Sequence, residues 1–484
     1  MRSNVKKGFS RRGFLEICGL GTTGLLVRQS LLGDMAWAAP GDPKFFLLVY
    51  FSGGWDQLLA LDPRNAKDPA YQLAAAKAAG GSGIYPMYEE SAALDPAMDA
   101  TMNATTQGAQ TRTGVQQAGN LTFGPAVPSS LTTHAPSLAI VRGMSMDTLT
   151  HEVGRRYLIT GKFPRGLSAS GSSINTVVVG QTGSTLDLPN LAINVESYNE
   201  TFPAFASAVN VQNSAAVRTV LTPQAVTSPL SAAAETRLMN FQHTDDSCEA
   251  HGLNANGLVK TFRDSQDQAR QMTNPAKAAL FNFAYPAPNT DVSDVFTAFG
   301  IDSAAKINTP LGTAALAAQA ITTGVSQVVA VQLMNGLDDH FDLAGQQSIS
   351  LRQGFDALGK LISRLKAVTV PGTAKSFWDC TTLLCFSEFA RTPMVNGRDG
   401  RDHHLASSCL VAGPGIQGNQ VIGATSNKGM GAQKVNLNTG LVDDTGGSLV
   451  HPSDVHATLL TSMGLSASGL SNQSPKIIQK LLKP

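Results

Sequence analysis

Short, unbroken apolar runs punctuate this chain, each closed by a polar or glycine-rich turn. Phe45 to Phe51 is seven apolar residues ended by Ser52-Gly53-Gly54. No polar alternation interrupts the run, so it predicts a strand covered on both faces, as in a parallel sheet. Four further runs read the same way: Leu138–Arg142, Val328–Leu333, Leu383–Phe386 and Ser408–Ala412, the last closed by Gly413-Pro414-Gly415. Between them the period changes. Leu351, Phe355, Leu358, Ile362 and Leu365 recur at steps of four and three, which predicts an amphipathic helix, and the Ala-rich stretch 311–323 predicts another. Strands alternating with helices imply a doubly wound, mainly parallel α/β sheet. Ligands of such sheets bind beyond the carboxyl ends of the strands.

Two stretches depart from this rhythm. Residues 100–120 are Thr, Gln, Gly and Asn and predict a long loop. Residues 167–310 are polar and only patchily periodic, and are expected to form an insertion or cap within one domain spanning 39–484.

The amino-terminal segment reads differently again. Arg2, Lys6 and Lys7 precede Ser10-Arg11-Arg12-Gly13-Phe14-Leu15, the twin-arginine export pattern. A short, weakly apolar stretch follows to Val27, and Ala36-Trp37-Ala38 is a small-x-small cleavage site. Residues 1–38 are thus expected to be a signal peptide read by the twin-arginine machinery, with the mature chain periplasmic or extracellular. These 38 residues carry six Lys/Arg and two acids, so a whole-chain net charge of +1 leaves −3 for the rest. That balance gives no footprint for nucleic acid or anionic membrane. No later apolar run is long enough to span a bilayer. Cys248, Cys380, Cys385 and Cys409 fit no zinc spacing; Cys385 and Cys409 lie in apolar runs, and a Cys248–Cys380 disulfide is compatible with export.

Candidate chemistry gathers where the strands stop. Gly53-Gly54-Trp55-Asp56 follows the first run, Thr150-His151-Glu152 the second, and Asp338-Asp339-His340 the third. Ser387-Glu388-Phe389-Ala390-Arg391 follows the fourth, and Arg401-Asp402-His403-His404 precedes the fifth. Mixed carboxylates and imidazoles suit a divalent ion such as zinc, manganese, magnesium or calcium. Each cluster alone has a plainer reading: Asp56 as a turn cap, Asp338-Asp339-His340 as a solvated loop, Arg391 as the ion partner of Glu388, and Asp402-His403-His404 as surface.

Taken together, the strand ending F-S-G-G-W-D, the segment T-H-E-x-G-R-R-x-L-x-T-G-K-x-P, the D-D-H, S-E-F-A-R-T and R-D-H-H resemble the domain-of-unknown-function family 1501. That family is similar in turn to the alkaline phosphatase and sulfatase superfamily. The resemblance covers most of 44–166 and 310–465 and implies one buried sheet with one or two metal ions over its carboxyl edge. It implies metal ligation by Asp56, Asp338, His340, Glu388 and His403 (or His404 in its place), and Asp402 joins these as a candidate ligand from the cluster before the fifth run. It places His151 where the superfamily has a Cys or Ser nucleophile, and Arg155 at the position of that segment's Arg. With neither Cys nor Ser there, formylglycine cannot form, and His151 is left open as ligand, base or nucleophile.

The function implied is a metal-dependent hydrolase of phosphate or sulfate esters, of small molecules or glycans. A catalytically degenerate binding or structural protein on the same fold is the alternative. A glycan-processing enzyme using Asp338 and Glu388 as paired carboxylates is a third reading. Replacing Arg11 and Arg12 together by Lys should leave the precursor in the cytoplasm, as read by cell fractionation; undiminished export would remove the twin-arginine assignment.

Overall fold

The computed structural model describes residues 43–104, 112–222, 272–341, 343–468, 470 and 474–484, together with 230–231, 233–234 and 236–237. The expected signal segment, residues 1–38, and Cys248 lie outside the described residues. All five apolar runs are strands of one sheet: β1 (Phe45–Phe51), β2 (Ala139–Ser145), β5 (Val328–Met334), β6 (Thr381–Phe386) and β7 (Ala406–Ala412). Three strands join them: β3 (Asn190–Ile193), β4 (Val209–Val211) and β8 (Gln420–Ile422). The order across the sheet is β8-β2-β7-β6-β1-β5-β3-β4. Every pairing is parallel except the two made by β7, which runs antiparallel to both β2 and β6.

Strand β1 shows why the runs are uniformly apolar. Phe45, Leu47, Val49 and Phe51 face one hydrophobic cluster, and Phe46, Leu48 and Tyr50 face the other. Successive side chains point to opposite faces, so a strand with helices on both sides has no position left for solvent. One face is covered by α3 (Pro310–Thr322) and α4 (Leu343–Ala367), the two helices expected from the sequence. The other is covered by α1 (His151–Thr160), α2 (Ile174–Thr182) and α5 (Pro452–Ser462). Cys385 and Cys409 are buried within these layers, as their apolar context implies. Among the described residues no helix is long and apolar enough to cross a membrane.

The polar stretches hold more structure than their composition suggests. Residues 100–120 contain the end of the helix Pro96–Ala104 and the strand Gln116–Ala118, which pairs with Leu121–Phe123. Met98 and Met102, four residues apart, anchor that helix in the core despite its polar neighbours. Residues 167–310 supply α2 and the strands β3 and β4 on one flank of the sheet.

Helix α5 carries a fully buried imidazole. His456 Nε2 donates to the Leu158 carbonyl of α1 at 2.7 Å, tying the two helices together. Burial, opposed only by that hydrogen bond, holds its pKa down at about 4 against an ordinary 6.5. The unfolded chain therefore binds a proton that the native state refuses. This contribution to stability is complete above pH 6.5 and is lost as pH falls toward 4. The difference amounts to on the order of 3 kcal/mol. Urea unfolding of wild type and His456→Gln across that window should show a shallower acid slope in the variant; parallel slopes would exclude the buried neutral imidazole.

Candidate metal centre

The site is built on four turns that meet at the carboxyl edge of the sheet. Leaving β1, the chain turns at Gly53, whose φ is +116°. A Cβ there would lie 2.6 Å from the backbone nitrogens of Leu337 and Asp338, so only glycine lets the turn after β1 touch the turn after β5. The turn after β6 presents Ser387 and Glu388. Ser387 Oγ accepts from the Gly54 and Trp55 amides at 3.1 and 3.2 Å, which locks the β1 and β6 turns together.

Glu388 is about 1% exposed and directs both oxygens at donors. Oε1 accepts from the Gly53 amide at 2.9 Å and from His151 Nδ1 at 2.8 Å, and Oε2 accepts from Ser387 Oγ at 3.0 Å. Burial raises the carboxyl pKa, but the His151 hydrogen bond and charge and the backbone donors outweigh it and bring it below the ordinary value. An ionised Glu388 can only accept, so His151 donates from Nδ1. Burial lowers the ring's pKa, but Glu388 and Asp338 more than reverse this, and the Nε2 lone pair is exposed once the second ring proton leaves. Helix α1 holds His151 there because Gly154 lies against the Glu388 carbonyl; an added Cβ would meet that oxygen at 2.5 Å.

His151 Nε2 is buried, forms no hydrogen bond, and stands 3.3 Å from Asp338 Oδ1. Two more imidazoles face the same oxygen: His340 Nε2 at 3.2 Å and His403 Nε2 at 3.5 Å. His340 and His403 present Nε2 to each other at 3.0 Å. The far nitrogen of each ring is also committed. His340 Nδ1 donates to Asp402 Oδ1 at 2.9 Å, and His403 Nδ1 donates to the Leu149 carbonyl at 2.5 Å. Three imidazoles thus have their Nδ1 anchored on a carboxylate or carbonyl and their Nε2 turned inward, the arrangement that orients histidine toward a metal.

His151, Asp338 and His403 each offer one donor atom, all within 4.8 Å of one another, and form a possible metal site. Two donors bonded to one ion at about 2.0–2.2 Å lie roughly 3–3.6 Å apart at tetrahedral angles, close to the spacings about Asp338. Asp338 is held down to about 2: burial raises it, and the Arg391 hydrogen bond and charge, with His151, more than reverse this. Arg391 is wholly buried, donating to Asp338 Oδ1 at 2.5 Å and to the carbonyls of Gly53, Gly54 and Arg401. Phe389 forms an apolar wall, its ring centroid 4.7 Å from that of His151 and 4.4 Å from that of His403.

The structure therefore divides the residues read from the sequence. His151, Asp338 and His403 converge, with His340 beside them. Glu388 and Asp402, expected as ligands, stand behind histidines instead, because their oxygens are taken by ring N–H groups and neighbouring donors. Asp56 is directed elsewhere: Oδ1 caps the Leu58 and Leu59 amides at 2.8 and 3.3 Å, and Oδ2 pairs with buried Arg401 at 2.9 Å. This is the turn cap that its context after two glycines also allowed. Arg155 pairs with Glu196 at 2.7 Å rather than with the cluster. His404 Nε2 faces the Gly429 carbonyl at 2.9 Å. Arg391 is an ion partner, but of Asp338 rather than of Glu388. Asp339, given no role of its own in the sequence reading of its cluster, is half-buried beside Asp338. Its Oδ2 lacks a hydrogen-bond partner, and burial, with Asp338 adding to it and Arg391 opposing, pushes its pKa up to about 6.

A family model described as Protein of unknown function (DUF1501) matches residues 44–474, and the chain belongs to that family. Two solved structures are similar in part. One is the phosphonate monoester hydrolase SpPMH from Silicibacter pomeroyi, 14% identical over 74% of this chain and 72% of that chain, with a TM-score of 0.30. The other is Ps i-CgsB in complex with k-i-k-neocarrahexaose, 8% identical over 88% of this chain and 73% of that chain, with a TM-score of 0.31. These likenesses are too slight to bear on function. No curated protein matches.

On helix propensity alone, Gly154→Ala should stabilise by up to ~1 kcal/mol. The contact with Glu388 reverses the sign, and the variant should lose about 1–3 kcal/mol in denaturant unfolding. A gain in stability would show that α1 does not depend on that close approach.

Proposed function

We propose that this DUF1501 protein is an exported, metal-dependent hydrolase of phosphate or sulfate esters, working at the His151–Asp338–His403 centre. The observation that carries the reading is the orphaned Nε2 of His151, buried, held by Glu388 on its far side and facing a charged Asp338. A structural imidazole would use that nitrogen in a hydrogen bond. A donor set of two imidazoles and one carboxylate suits zinc better than manganese, calcium or magnesium. Export rests on the twin-arginine pattern of Arg11 and Arg12.

Bound to these donors, a divalent cation would supply charge to neutralise ester oxygens and to make a water more acidic. The protein's own residues prepare the place. Glu388 and the Leu149 carbonyl fix His151 and His403 with their lone pairs turned inward. Arg391 keeps Asp338 ionised and leaves it a single direction in which to face. Phe389 shields one side from water. The amino terminus of α1, with its free amides, favours an anion arriving at His151. In the reaction, the oxygen of water bonds to phosphorus or sulfur, the bond to the alcohol oxygen breaks, and a proton passes to the departing alkoxide.

One observation favours the alternative, a binding protein on the same fold. His151 occupies the helix start where a hydroxyl or thiol nucleophile would stand, and Thr148 Oγ1 nearby accepts from the Thr150 amide at 3.1 Å within its own turn. Direct attack by water answers this difficulty without a protein nucleophile.

Metal analysis of the folded protein distinguishes the two. Wild type should hold stoichiometric divalent metal, and His151→Ala, Asp338→Ala and His403→Ala should lose it together with ester turnover. Glu388→Gln should weaken metal affinity by roughly 10–100-fold, since it loosens only the support of His151. Protons compete for the imidazoles, so metal retention should fall as pH drops through the histidine range. Metal bound without turnover of any phosphate or sulfate ester would favour the binding protein; no metal near neutral pH would end the proposal.

A further inference from the structure

The metal centre has an apolar neighbour. A cleft of about 410 Å³ opens beside His403, between the segment 145–149 that leads into α1 and the segment 403–406 that leads into β7. Its walls include Leu149, Leu405, Ala406 and Ala432. Leu149 and Leu405 are 46% and 50% exposed, large apolar side chains facing solvent. Exposed leucines scattered singly mean little, but a pair lining one concavity next to a polar site marks a surface that gains by being covered. The two segments are held to each other, Met146 N–H donating to the Leu405 carbonyl at 2.8 Å, so the walls belong to one frame.

The polar side chains in the lining are already used. Ser145 Oγ donates to Asp147 Oδ1 at 2.7 Å. His404 engages the Gly429 carbonyl with Nε2 and the Ala406 amide with Nδ1. His403 gives Nδ1 to Leu149 and turns Nε2 toward Asp338. Among the lining residues no free side-chain donor remains, and the one spare acceptor, Ser145 Oγ, cannot satisfy the several hydroxyls of a sugar, whose burial without partners would be costly.

We propose that this cleft takes the alcohol half of the substrate and that this half is apolar, an aryl or branched alkyl group, with Leu405 a specificity-determining residue. The proposal rests on the ester-hydrolase reading of the centre and narrows it, from phosphate or sulfate esters in general to esters of apolar alcohols. His403 belongs both to the cleft lining and to the donor group, so the anionic half of the ester lies at the donor group and the apolar half extends from it into the cleft.

The probes are 1-naphthol, which has no anionic half, and the 1-naphthyl, methyl and glucosyl esters of phosphate and sulfate. Binding of 1-naphthol is followed by NMR shift perturbation in wild type and Leu405→Asn, with metal content measured in both. Wild type should bind 1-naphthol, Leu405→Asn should weaken binding by on the order of 10-fold, and metal content should be equal. Wild type should also prefer the naphthyl ester to the methyl and glucosyl esters by a similar factor. Naphthol binding that the variant leaves unchanged, or faster turnover of the glucosyl ester, overturns the proposal. Turnover of esters with no naphthol binding leaves the hydrolase standing and removes the apolar cleft. Naphthol binding sensitive to Leu405 with no turnover of any ester keeps an apolar-ligand site but overturns the assignment of its occupant as half of an ester.

Discussion

A charged carboxylate buried at the foot of a histidine is the constraint around which this site is arranged. Taking a carboxylate out of water costs several kcal/mol after relaxation, and Glu388 recovers that only because its oxygens are met by His151, Gly53 and Ser387. Each partner comes from a different part of the chain. The amide comes from the turn after β1, the imidazole from the start of α1, and the hydroxyl from the turn after β6. For all three to arrive together, α1 must lie against the Glu388 backbone, which requires Gly154 to lack a side chain. The β1 turn must also pass close to Asp338, which requires the same of Gly53. The inward direction of His151 Nε2 follows from these requirements.

Arg391 does comparable work on the other side. A wholly buried guanidinium spread over one carboxylate and three backbone carbonyls fixes Asp338 Oδ1, the oxygen that the three imidazoles also face. Its planar fork suits this better than a lysine ammonium would, because several acceptors in different directions are satisfied at once. The centre is thus supported from below by one buried anion and one buried cation, and their separate partners keep His151 and Asp338 facing each other.

Much of this was legible in the sequence. The five apolar runs are unmistakable because helices cover both faces of the sheet, so no polar residue breaks them. The short strands Asn190–Ile193 and Val209–Val211 were not, since three or four residues in a polar stretch give no usable period. The gathering of acids and histidines at strand ends located the site but could not rank its members. Glu388 and Asp402 have the chemistry of ligands, and nothing in the sequence says that their oxygens face ring nitrogens of His151 and His340. Asp56 had two readings of equal standing, and the capping one holds. The Asp402-His403-His404 cluster precedes its strand while the others follow theirs. It reaches the same edge because β7 runs backwards between β2 and β6, a direction that hydrophobic pattern does not encode.

His151, Asp338 and His403 enter from the start of α1, the turn after β5 and the segment before β7, separated by long stretches of chain. No short contiguous fragment contains the centre. Its contacts join residues far apart in sequence, the kind whose loop-closure cost must be met before they contribute to stability. An ion bound to donors this far apart in the chain would find them together only in the assembled sheet, so it would stabilise the native state against opening, unlike the ion of a small zinc module, whose ligands lie in one short segment.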